Sequence, residues 1–143
     1  MIRRRLIVLS GAAILLGCDS GASDRKDATR ARLVGTWLRE TEASGQKMRR
    51  VIVLSADKSF LEFAKIVAAD GAVETEAHKG EWFFDGTNFK RKYTHLNAVP
   101  LSSSRMTFAT FRLEPSSVDE IVGVDDVRQM KVVYRRVPDG TRP

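Results

Sequence analysis

Between residues 33 and 137 the chain is cut into short β-prone runs by closely spaced turn signals, and that spacing limits its fold more than any other feature. Asp70-Gly71 and Asp85-Gly86 are the sharpest signals, because glycine accepts the positive φ that a tight hairpin turn demands. Ala43-Ser44-Gly45, Ala56-Asp57-Lys58, Glu114-Pro115-Ser116 and Asp125-Asp126 punctuate the rest. Strands so near in sequence, joined by tight turns, pair as antiparallel neighbours in a meander. The runs predict strands over Val34–Thr41, Met48–Ser55, Phe60–Val67, Ala72–Lys79, Glu81–Phe84, Asn88–His95, Met106–Leu113, Val118–Val124 and Gln129–Val137. No segment after residue 33 sustains a helical period. A domain of about 110 residues buries one modest core, so one all-β domain over 33–138 is expected.

Alternation sorts the faces of these strands. Phe89, Arg91, Tyr93 and His95 share a face opposite Lys90 and Lys92. Met130, Val132, Tyr134 and Arg136 share another, opposite Lys131, Val133 and Arg135. Strands with one apolar and one wet face suit a small antiparallel up-and-down barrel or a curved sheet packed on itself. An unpaired guanidinium on an inward face is costly. Arg91 must therefore pair inside, reach the rim, or meet an anionic ligand, and Glu62 is the candidate internal partner.

The first 32 residues are of another kind. Leu6 to Leu16 as a helix would span about 16 Å, half of a ~30 Å hydrocarbon core, too short to anchor by crossing it. Met1-Ile2-Arg3-Arg4-Arg5, this apolar run and Leu15-Leu16-Gly17-Cys18 together resemble the lipobox leader of bacterial lipoproteins. The resemblance implies cleavage after Gly17, a diacylglyceryl group on the Cys18 sulfur and acylation of its new α-amine. Cys18 is the sole cysteine and so cannot form an internal disulfide, which accords with that fate. Asp19 resembles the signal that retains lipoproteins in the inner membrane. The expected location is therefore the periplasmic side of the cell membrane, with the outer membrane as the alternative. Residues 19–32 contain no large apolar side chain and read as a flexible tether. A short helix over 27–33 plugging one end of the fold is the alternative.

The formal net charge is +6, and removal of Arg3, Arg4 and Arg5 with the leader halves it. The remaining charges are mixed, without a dense basic run or an aromatic-interleaved basic motif, so nucleic acid is not an expected partner.

Leu33-Val34-Gly35-Thr36-Trp37 resembles the opening strand of the bacterial lipocalin-like domains, in which a G-x-W motif begins an up-and-down barrel. Gly80-Glu81-Trp82, followed by Asp85-Gly86, repeats the spacing, and Val133-Tyr134-Arg135-Arg136-Val137 resembles the closing strand. The resemblance implies that Trp37 packs at a closed end beneath Arg136, with Arg135 as the alternative. It also implies a calycin-type module that binds a small apolar or amphiphilic ligand. Strands of seven or eight residues make a barrel about 25 Å high, near the size its own side chains fill. The expected pocket is therefore shallow, near Arg91, Tyr93 and His95, and suited to an amphiphile with an anionic group. An envelope protein as partner, in a complex or as an inhibited enzyme, is the competing expectation.

Catalytic and metal chemistry find little support. Glu74-x-Glu76-x-His78 would project three ligand types from one strand face, but a solvated outer face explains the pattern more simply. Ser102-Ser103-Ser104 lacks a nucleophile-elbow context, Asp125-Asp126 suits a turn, and no glycine-rich phosphate loop precedes a helix. No cofactor, metal or catalytic residue is expected, and residues 139–143 read as a disordered tail.

Overall fold

The computed structural model describes residues 20–105 and 107–143. The leader, Cys18 and Asp19 lie outside these, as do the readings that rest on them. Helix α1 (Ser20–Leu33) is followed by β1 (Gly35–Ala43), β2 (Gln46–Leu54), β3 (Ser59–Val67), β4 (Val73–Phe84), β5 (Asn88–Leu96), β6 (Val99–Pro100), β7 (Phe108–Glu114), β8 (Glu120–Asp125) and β9 (Lys131–Arg136). The order β4-β3-β2-β1-β9-β8-β7-β5 closes through β4–β5 pairing into an eight-stranded antiparallel up-and-down barrel. The two-residue β6 pairs with the end of β5.

The runs read as two strands, Ala72–Lys79 and Glu81–Phe84, are one 12-residue strand, β4. Gly80 between them does not end it. A Cβ at Gly80 would strike the Lys92 carbonyl and the Phe60 ring, so the residue is small because β5 and the Phe60 side chain press against it. The register of β5 on β4 slips there: Tyr93 faces Gly80 but His95 faces Lys79, leaving Thr94 as a bulge.

One end of the barrel is closed. Leu33, Trp37, Leu54, Phe60, Trp82, Phe84, Phe89 and Tyr134 belong to the buried core. Arg136 faces Trp37 across the β1–β9 ladder, and its guanidinium lies over the indole, 4.1 Å from the ring centroid. The same guanidinium donates to the carbonyls of Arg32 (2.7 Å) and Val34 (3.1 Å), while Trp37 Nε1 donates to Leu33 O at 2.8 Å. The terminal carbonyls of α1 thus find donors from the barrel. Gly35, at φ +136°, has no Cβ to collide with Arg136, which accounts for the glycine of its G-x-W. Trp82, in the second copy, donates Nε1 to Ser55 O at 2.9 Å.

Two readings of the flanks need correction. Most of the stretch read as a flexible tether is helix α1, a good deal longer than the alternative over 27–33. Leu33 is its one buried side chain among those described, so no apolar stripe announced it. Its end is held by Arg136, and Arg30 pairs with Asp27 at 2.7 Å along its surface. The segment 139–143 is not a free tail either. Thr36 Oγ1 donates to Asp139 at 2.6 Å and Arg49 Nε to Arg142 O at 3.4 Å, and residues 140–143 wall a cleft with Val53, Phe63 and Ala77. Leu38 and Val51, cross-strand partners facing outward, are buried on the side to which this segment returns.

Candidate functional site

Above the closed end, four strands bring a polar group into the barrel. Glu62 lies between inward-facing Phe60 and Ala64 on β3 and is 1% exposed. Arg91 on β5, also 1% exposed, forms its ion pair through Nη1 and Oε2. Tyr93 OH donates to the same oxygen at 3.2 Å. Oε1 faces Arg50 Nε of β2 at 3.4 Å and His78 Nδ1 of β4, its direct cross-strand partner, at 3.7 Å. Neither of these last two contacts is a hydrogen bond. Arg50 Nε, His78 Nδ1, Arg91 Nε and Tyr134 OH are buried polar atoms without a hydrogen-bond partner.

Aromatic rings wall the Arg91 guanidinium. The centroids of Phe111, Tyr93, Phe89 and Phe60 stand 5.1, 5.5, 5.8 and 5.9 Å from it. Phe60 and His78 both meet Tyr93 edge-on at 5.2 Å. Burial works against the charge on Arg91, but Tyr134, Tyr93 and Glu62 hold its pKa above the ordinary value. Burial likewise opposes the charge on Arg50, and Glu62 outweighs it. Burial pushes the Tyr93 phenol up, with Arg91 opposing and Glu62 adding, so the hydroxyl stays a donor. Two guanidiniums therefore face one carboxylate. The group is net positive and rich in donors.

Toward the opposite end the interior becomes a half-buried mouth. Arg39 stands directly across from Arg50 on the inner face, with Thr41, Met48, Ile66 and Glu76 around the opening. Among the described residues Arg39 makes no ion pair. The β1–β9 ladder ends at Leu38–Arg135, so the strands are unpaired beside Arg39 and Tyr134. On the outer surface Arg135 of β9 binds Glu40 across this seam at 3.2 Å, and Arg49, the β2 partner of Glu40, binds the same carboxylate at 2.5 Å.

Of the residues read together in the sequence, Arg91 and Tyr93 share this site and His95 does not. The Thr94 bulge turns His95 to the outer face, where it lines a cleft with Leu61, Phe63 and Ala98. Glu74, Glu76 and His78 share a face, but it is the inner one and not the solvated outer face expected, because inward Gly80 and Trp82 set the parity of β4. Among the described residues no group of three could hold a metal ion. Arg50 and Tyr134 were not read as site residues. Arg50 carried a signal: it interrupts the apolar face Met48, Ile52, Leu54 of its strand.

The fold defines a closed antiparallel barrel compatible with a lipocalin-like module. No protein-family model matches the chain, and no curated protein matches it.

Proposed function

We propose that the chain is a non-catalytic binding module that takes the anionic end of a small amphiphile at the mouth of the barrel. The observation that supports this is the imbalance around Glu62: two arginines face one carboxylate, with four buried polar atoms unpartnered. A carboxylate or phosphate accepts from such donors, and unmet buried donors are costly. Arg50 is the residue reached from the mouth, its side chain being 21% exposed, whereas Arg91 is sealed beneath it. The apolar tail would lie among Met48, Ile66 and Val132. On the sequence reading, lipid on Cys18 holds the module at the periplasmic face of a membrane.

Titration of residues 20–143 with fatty acids and lysophospholipids, followed by intrinsic fluorescence, tests this reading. Micromolar binding is expected, weakened about ten-fold or more by Arg50→Gln, the loss of one charge-assisted hydrogen bond. Silence across the panel refutes it. A second reading, presentation of a surface to an envelope protein, is favoured by the filled interior below Arg91 and by the exposure of Leu61 and Phe63 on the outer face. A stoichiometric protein partner recovered from detergent-extracted membranes, with no lipid binding, would select it.

A further inference from the structure

Strands β1–β4 run past their neighbours on both sides of the mouth. The β1–β9 ladder ends at Leu38–Arg135. The β4–β5 ladder ends at His78–Leu96, where Asn97 exchanges two hydrogen bonds with Ala77. Past these points the register sets two cross-strand rows on the inner face of the overhang. Arg39, Arg50, Ala64 and Glu76 form the first, and Thr41, Met48, Ile66 and Glu74 form the second, nearer the rim. Two cations on β1–β2 are thus separated from the carboxylates of β4 by the apolar side chains of β3. Lys47, Arg49 and Lys65, with Glu40 and Glu42, alternate to the outer face. Across the mouth, the Asp125 carboxylate accepts from the N–H groups of Val127 and Arg128 in the β8–β9 turn.

The opposite charges of the overhang do not meet. Among the described residues the interior ion pairs all end on Glu62, and Arg39, Glu74 and Glu76 have no opposite charge within ion-pair reach. Strands about 4.8 Å apart hold the Arg50 and Glu76 backbones about 10 Å from one another. Arg39 and Arg50, directly opposite on neighbouring strands, repel. Tyr134, 1% exposed, brings an unpartnered hydroxyl to the same interior, and Arg50 Nε is unpartnered as well. We propose that the overhang selects a zwitterionic head group, with its anion on Arg39 and Arg50 and its ammonium on Glu76, which rests on the mouth taking an amphiphile. A head group with an anion alone would set its charge before Glu76 and Glu74 with nothing to offer them, and is disfavoured. A primary ammonium donates charge-assisted hydrogen bonds to the same carboxylates.

Calorimetric titration of the full chain with dodecyl phosphoethanolamine and with dodecyl methyl phosphate, each below its micellar concentration, provides the test. The two share a tail and a singly charged phosphodiester and differ in the ammonium. The zwitterion is expected to bind about ten-fold more tightly, the worth of one charge-assisted hydrogen bond. Glu76→Gln should remove the preference, weakening the zwitterion and, with the repulsion gone, tightening dodecyl methyl phosphate. A misfolded barrel would not tighten either ligand. Glu76→Lys should reverse the order, and Arg39→Gln should weaken both. Equal affinities in the unsubstituted chain, or a preference that survives Glu76→Gln, overturns the proposal and leaves an anion site at the mouth standing. Binding of neither ligand overturns that site as well.

Discussion

The two ends of the barrel each place an arginine against aromatic rings, yet with opposite outcomes. At the closed end Arg136 lies 4.1 Å from the Trp37 centroid and spends its donors on the carbonyls of Arg32 and Val34. Toward the mouth Arg91 and Arg50 share Glu62, and each keeps an unpartnered Nε. The difference is one of saturation. A guanidinium whose acceptors are supplied by the fold is a fastening, and one left short of acceptors has capacity for a ligand. Residue type and inward orientation alone do not distinguish them.

The largest expected effect is at the fastening. Trp37→Ala empties core volume and removes the platform under Arg136, and should cost about 3–5 kcal/mol in denaturant unfolding. Glu62→Ala should come next, at about 3 kcal/mol, because it strands Arg91 in the interior. The double change Glu62→Leu with Arg91→Met sharpens the contrast: stability should return to near the wild-type value. If Glu62→Ala instead costs nothing, the interior is wetter than its burial implies and the comparison fails. Arg136→Met should cost about 1–3 kcal/mol and lower the helical signal in circular dichroism, since α1 loses the donors at its end.

The smallest effect lies on the surface. Asp85 is held well below the usual carboxylate range by Lys90 Nζ at 2.8 Å and by the N–H groups of Asn88 and Thr87. A carboxyl depressed by folding stabilises fully above its unfolded pKa, and the contribution drains as pH falls through the folded value. Asp85→Ala should therefore narrow the stability difference between pH 7 and pH 3 slightly, and it should leave the behaviour between pH 6 and 8 unchanged.

Much of this architecture was legible in the chain, for physical reasons. Turn chemistry and strand alternation are local, so the antiparallel barrel follows from them, as does the inward placement of Arg91 and Tyr134. What was not legible depends on contacts distant in sequence. Gly80 looks like a break until β5 is laid against it. His95 follows the alternation of its strand, and a bulge set by β4 reverses it. Helix α1 lacks an apolar stripe, and its end is secured by an arginine 104 residues away from Arg32. The segment 139–143 is tied by Asp139 to Thr36, 103 residues away. Arg50 was visible as a lone charge on an apolar strand face, but its meaning needed Glu62 and His78 from two other strands.

Calorimetric titration of the barrel with a long-chain fatty acid and with the alcohol of the same length tests the central claim most directly. The two ligands share an apolar tail and differ in the charge offered to Arg50 and its neighbours. The acid should bind with micromolar affinity and the alcohol about ten-fold or more weakly, the difference vanishing in Arg50→Gln. Equal affinities for acid and alcohol, or no heat from either, would contradict an unfilled cationic site at the mouth.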